Sequence, residues 1–191
     1  MKKIILAFFI AVLVPLQACA QETWKEGEHY TIINETATDK PVINEFFSYW
    51  CPHCFQFEPI AKKIQEKMGD DVKFEKVHVN FMGFTSAETQ DDASRALFRY
   101  IHVQKSPITN IKDLKNIFMV NGVEEADFDK LVSSFGVNSM LKKNNKLVQE
   151  YRSHLRGVPN FIVNGKYQAK FTRDMNNDDI VNLIVWLSKQ K

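Results

Sequence analysis

Two cysteines separated by two residues, Cys51 and Cys54, stand where a strand-like run gives way to a helix-like one. Before them, Val42 to Tyr49 is dominated by apolar and aromatic residues, as in a central strand buried on both faces. After them, from Pro52 to about Met68, Phe55, Ile60 and Ile64 recur at helical spacing, with Lys62, Lys63 and Glu66 on the other side. Pro52 suits a first helical turn, whereas Pro59 lies inside the helix and predicts a kink. Val72 to Val79 reads as the next strand. A strand–helix–strand unit with so short a crossover requires parallel strands joined right-handedly. The cysteine pair is thereby placed at a helix mouth, where backbone N–H groups favour a thiolate at the first sulfur.

The remaining pattern completes the topology. Thr31 to Ile33 reads as an edge strand. From about Ser86 to Leu155 the chain reads as almost wholly helical, with helices over Glu88–Val103, Ile111–Val120, Glu124–Phe135 and Asn138–Leu155. Pro107, Gly122 and Gly136 separate them, and Asn110 and Ser139 are candidate caps. Strand character returns at Asn160–Val163, Asn164-Gly165 signals a type I′ hairpin, and Lys166–Ala169 forms the return strand. A last helix over Asp178–Lys189 presents Ile180, Leu183, Ile184 and Leu187 on one face. The expected fold is α/β, a thioredoxin-type fold in two parts (21–84 and 156–191) with an all-helical domain, 85–155, inserted between them.

The N-terminus reads as an export signal over residues 1–20. Lys2 and Lys3 precede an apolar stretch, Ile4 to Val14, too short to span a bilayer, and Ala18-Cys19-Ala20 fits a small-x-small cleavage site. The expected mature chain starts at Gln21 and is near neutral, because Lys2 and Lys3 account for the +2 formal charge of the whole. Leu16-Gln17-Ala18-Cys19 offers an alternative, lipidation at Cys19, from which Gln17 departs by its polarity. With no basic stripe, nucleic acid is not an expected partner.

Removal of Cys19 with the signal leaves one cysteine pair, Cys51 and Cys54, closing a ring too small to constrain much of an unfolded chain. Reactivity explains such a pair better than stabilisation. A structural zinc needs about four ligands and no second Cys or His pair is present, so no metal is expected. Haem attachment fails because Phe55 follows Cys54. Cys51 is the candidate nucleophile, with Pro52 and His53 between the sulfurs and His53 placed to donate towards Cys51; Cys54 is the resolving thiol. No cofactor beyond the redox-active disulfide is expected. His29, His102 and His154 read as surface or half-buried residues, and His78 carries no assigned chemistry.

Glu45-Phe46-Phe47-Ser48, Cys51-Pro52-His53-Cys54, Gln56-Phe57-Glu58, His78-Val79-Asn80-Phe81-Met82-Gly83 and Arg156-Gly157-Val158-Pro159, followed by Phe161 to Tyr167, resemble in sequence and order the periplasmic disulfide oxidoreductases of the DsbA type. The resemblance covers essentially the whole mature chain and implies a soluble, monomeric enzyme of the periplasm. Its activity would be donation of the Cys51–Cys54 disulfide to newly exported proteins, with reoxidation by a quinone-linked membrane partner of the DsbB type. It further implies a cis Val158–Pro159 bond facing the cysteines, with Val158 helping to hold extended substrate. Glu45 and Lys76 match a buried acid–base pair under the active site, either moving the Cys54 proton or serving as a satisfied ion pair. Glu58 is either a modulator of local charge or, as its helical position favours, a solvated residue. Phe81, Met82, Phe84, Phe161 and Phe171 are candidates for an apolar substrate groove. The rival functions are a thiol reductase or isomerase, and a peptide-binding chaperone whose disulfide is only structural.

Overall fold

The structure is a computed structural model that describes residues 24–79 and 91–191. The expected signal segment, Cys19, Phe81, Met82 and Phe84 lie outside those residues. Five strands form one sheet: β1 (Tyr30–Ile32), β2 (Val42–Phe47), β3 (Lys73–His78), β4 (Asn160–Val163) and β5 (Tyr167–Ala169), in the order β1-β5-β4-β2-β3. Among the five described strands, β2 and β3 pair parallel, joined by α1 (Pro52–Lys67), and the other strand pairs are antiparallel. Between β3 and β4 lie α2 (Asp91–His102), α3 (Ile111–Val120), α4 (Glu125–Val132) and α5 (Phe135–Glu150), and α6 (Asn177–Ser188) ends the chain. This is the expected thioredoxin-type fold with helices inserted in its middle. No helix of the described residues is long and apolar enough to cross a membrane.

β2 is central and covered on both faces, which is why its last five residues are all buried. Alternation sends Ile43, Glu45 and Phe47 to one face, and Asn44 and Phe46 to the other. Ile43 joins a core that includes Phe57, Ile64, Phe161 and Leu183, built by α1 and α6 against the sheet. Phe47 joins a second core with Tyr49, Cys54, Leu97, Phe98 and Ile117, which ties the cysteine motif to α2 and α3. Glu45 therefore lies on the face that carries both cores, between their two strand anchors. Phe46 packs with Val77, Tyr151 and Ile162 in a third core on the opposite face.

Local signals set most element ends. Asn110 caps α3, its side chain accepting from the N–H groups of Lys112 and Asp113. The α5 start differs from expectation: Ser134, not Ser139, is the cap, accepting from Val137 N–H at 3.2 Å. That bond starts the helix early enough to enclose Gly136, which the first turn tolerates. α5 also stops at Glu150, before the expected Leu155, in a series of turns. α1 continues through Pro59.

The Asn164-Gly165 turn has φ +53° and +64°, as a type I′ hairpin requires. A Cβ at Gly165 would stand 3.1 Å from Tyr151 Oη and 3.2 Å from Thr38 Cγ2. Gly165→Ala is expected to lower stability by about 1–2 kcal/mol, since an L side chain is disfavoured at this φ and crowded besides. A denaturant titration checks this; an unchanged midpoint would contradict it.

Candidate active site

β2 delivers the chain to a short loop, 48–51, in which Cys51 N–H donates to the Ser48 carbonyl at 3.1 Å. Cys51 is the N-cap of α1, with extended backbone, and Pro52 occupies the first turn, where its missing N–H leaves no helical bond unmade. Both cysteines are free thiols. Cys51 is half-buried and Cys54, one turn into the helix, has no exposed surface. Burial pushes the Cys54 thiol well above its ordinary pKa; a backbone hydrogen bond from Ser48 opposes this, and neighbouring Cys51 and Glu45 add to it. The site thus holds one reachable sulfur and one sheltered, protonated sulfur.

The Val158–Pro159 peptide bond is cis, and the half-buried Val158 places its carbonyl 3.5 Å from Cys51 Sγ. In this contact the Cys51 thiol is the donor and the carbonyl the acceptor, whereas the expected bond had His53 donating to the sulfur. His53 is exposed, and no hydrogen bond joins it to the thiol among the described residues. The reason is helical geometry: residues two apart on a helix face different directions.

Beneath the motif, Glu45 on β2 and Lys76 on β3 are direct partners in the parallel register. Their charged ends lie 3.9 Å apart and Glu45 is fully buried, yet neither carboxylate oxygen has a hydrogen-bond partner. Burial therefore raises the Glu45 pKa from 4.5 to about 7, with Lys76 pulling it back and Glu58 pushing it further. A satisfied ion pair is not what the fold holds, because the Lys76 ammonium turns to Glu58 for its closest contact. Glu58 is half-buried and part of this charged cluster, which corrects the expectation of a solvated helix residue. Burial works against the Lys76 charge, but Glu45 and then Glu58 outweigh it and hold its pKa above the ordinary lysine value. The ammonium also sits 4.8 Å from the Phe47 ring centre.

The groove expectation fails for Phe161. Phe161 has no exposed surface and packs 5.3 Å from the Phe57 ring, and Phe171 stacks on the other side of that cluster, 5.7 Å from Phe57. Phe161 belongs to the core because β4 runs through the middle of the sheet, and the half-buried Phe171 packs against that core. His78 is buried with Nε2 unpartnered, and burial lowers its pKa to about 4, so the ring is neutral under Tyr49. Its backbone N–H and carbonyl are both bonded by the Asn144 side chain of α5. Sequence reading assigned no role to Asn144, or to His102, whose ring meets the carbonyl of Tyr49 beside the motif. Both contacts join residues more than fifty positions apart, beyond any periodicity signal.

Comparison with known proteins places these features in a group. The DSBA-like thioredoxin domain family matches residues 84–183, and the thioredoxin family matches residues 21–90. The thiol:disulfide interchange protein DsbA of Haemophilus influenzae is 31% identical over 198 aligned positions, which cover 95% of this chain and 94% of that protein. That of Escherichia coli (strain K12) is 32% identical over 213 positions, covering all of both. The crystal structure of Proteus mirabilis DsbA superimposes with a TM-score of 0.76 at 26% identity, covering 87% of this chain and 98% of that one. A second Proteus structure contains a non-covalently bound peptide, PWATCDS.

Proposed function

Since the chain belongs to the DsbA family of thiol:disulfide oxidoreductases, we propose that it donates the Cys51–Cys54 disulfide to newly exported proteins in the periplasm. The observation that carries this reading is the asymmetry of the two sulfurs. Cys51 is accessible at the mouth of α1, and Cys54 is enclosed behind it. In the oxidised enzyme, a substrate thiolate attacks Cys51 Sγ and breaks the Cys51–Cys54 bond, and Cys54 leaves as a thiolate that takes up a proton. A second substrate thiolate then attacks the substrate sulfur of the mixed disulfide and expels Cys51. The substrate loses two electrons and two thiol protons; the enzyme gains the electrons as a thiol–thiolate pair, Cys54 taking one proton and solvent the other.

Glu45 suits the proton step, because a carboxyl titrating near neutrality can both give and take a proton. The helix N-terminus favours negative charge on the Cys51 sulfur, which stabilises the reduced enzyme and makes the oxidised one a donor. Val158 and Pro159 border the reactive sulfur, where an extended substrate strand would lie; a Proteus relative binds a cysteine-containing peptide, PWATCDS. His53, at the exposed start of the helix, and Pro52 shape the mouth. Export by the N-terminal segment, monomeric action and reoxidation by a DsbB-type quinone-linked membrane protein complete the reading.

Equilibration of the purified protein with glutathione buffers tests it. The expected reduction potential is markedly more oxidising than the about −270 mV typical of thioredoxin. A value near thioredoxin's would overturn disulfide donation in favour of reduction.

A further inference from the structure

The Tyr49 carbonyl, two residues before the nucleophile, lies 2.8 Å from Nε2 of His102 in the last turn of α2. A carbonyl can only accept, so Nε2 carries the hydrogen in this contact. The same ring stacks on Phe55 of α1, with centroids 5.3 Å apart and planes 10° apart, and lies 6.1 Å from Phe98. The Tyr49 hydroxyl also reaches α2, donating to Ser94 Oγ at 3.2 Å. The inserted helices thus grip the loop that carries Cys51 by its backbone and by a neighbouring side chain, while the His102 ring bears on the active-site helix itself.

From this geometry we infer that His102 is a positioning residue for the thiol–disulfide reaction, setting the redox balance of the Cys51–Cys54 pair through Tyr49 and Phe55. Phenylalanine at 102 would stack but could not donate. Glutamine could donate but has no ring. Histidine does both, and joins the loop before Cys51 to the helix after it. The link stabilises the geometry in which Cys51 faces the first-turn N–H groups, and so favours the reduced, thiolate form over the disulfide. The inference rests on the proposed redox role of the pair.

The experiment compares wild type, His102→Phe, His102→Gln and His102→Ala in three readouts. These are the equilibrium constant with glutathione, the pH profile of Cys51 alkylation by iodoacetamide, and the thermal midpoint of each redox form. His102→Phe removes the donor to the Tyr49 carbonyl and is expected to shift the glutathione equilibrium about fivefold or more towards the oxidised protein. Its alkylation profile moves to higher pH, and the midpoint falls more in the reduced than in the oxidised form. His102→Gln should stay within about threefold of wild type, and His102→Ala should show at least the effect of phenylalanine. Equal losses of midpoint in both redox forms of His102→Phe, with an unchanged equilibrium constant, would overturn the inference and make His102 purely structural. So would His102→Gln behaving as His102→Phe does. A wild-type protein that exchanged no disulfide with glutathione would instead overturn the redox reading itself, and this inference with it.

Discussion

Cys51→Ser reduces thiol–disulfide exchange to background, whereas Cys54→Ser still attacks disulfides and then stalls. The two outcomes differ because the fold treats the sulfurs differently. Cys54 has no exposed surface, and burial holds it as a thiol, so it cannot take over as nucleophile when Cys51 is lost. The expected loss for Cys51→Ser is roughly a thousandfold or more, as for removal of other covalent nucleophiles. In Cys54→Ser, Cys51 remains reachable beside the Val158 carbonyl, but no neighbouring thiol can displace the bound group. Incubation with a disulfide-bonded peptide should therefore give one stable adduct, at Cys51, visible by intact-mass measurement. An adduct on Cys54 in the Cys51→Ser protein would contradict this assignment.

Glu45→Gln stabilises the protein at alkaline pH and leaves its acid stability nearly unchanged relative to wild type. Glu45 binds its proton more tightly when folded, at a pKa of about 7 against 4.5 for an ordinary carboxyl. Below pH 4.5 both states are protonated and the group contributes no difference. As pH rises from 4.5 to about 7 the unfolded carboxyl ionises first, so wild-type stability falls across that window. A shift of this size corresponds to roughly 3 kcal/mol, the stabilisation Gln should recover above pH 7 by removing the buried charge. The Lys76 ammonium keeps its contact with Glu58, so the cation is not stranded. Denaturant unfolding of both proteins at pH 4.5, 6 and 8 checks the prediction. Parallel pH profiles would show that Glu45 does not titrate in this window. The same variant, assayed for release of Cys54, measures whether the carboxyl serves proton transfer as well as burdening the fold.

The members of the Glu45–Lys76–Glu58 cluster were legible as candidates, and their arrangement was not. Glu45 and Lys76 stand out in sequence as charges within apolar strands. That they face each other in register follows from the parallel pairing of β2 and β3. That Lys76 prefers Glu58, leaving the Glu45 oxygens unpartnered, depends on where α1 lies across the sheet. The caps are local in both cases: Asn110 accepts from Lys112 and Asp113 N–H, and Ser134, rather than the expected Ser139, accepts from Val137 N–H.

By itself the sequence determined the strand–motif–helix unit, the Asn164-Gly165 hairpin, the inserted helices and the family. Each is encoded in residues a few positions apart, through hydrogen bonds, φ preferences and periodic burial that act over one or two turns. Only the tertiary structure decided that Cys51 meets the Val158 carbonyl, that Phe161 is core with Phe171 packed against it, that Glu45 carries a raised pKa, and that His102 reaches Tyr49. The last three depend on which distant segments exclude water from a side chain or bring a donor to it. Desolvation and long-range contacts are properties of the packed assembly, and no local pattern specifies them.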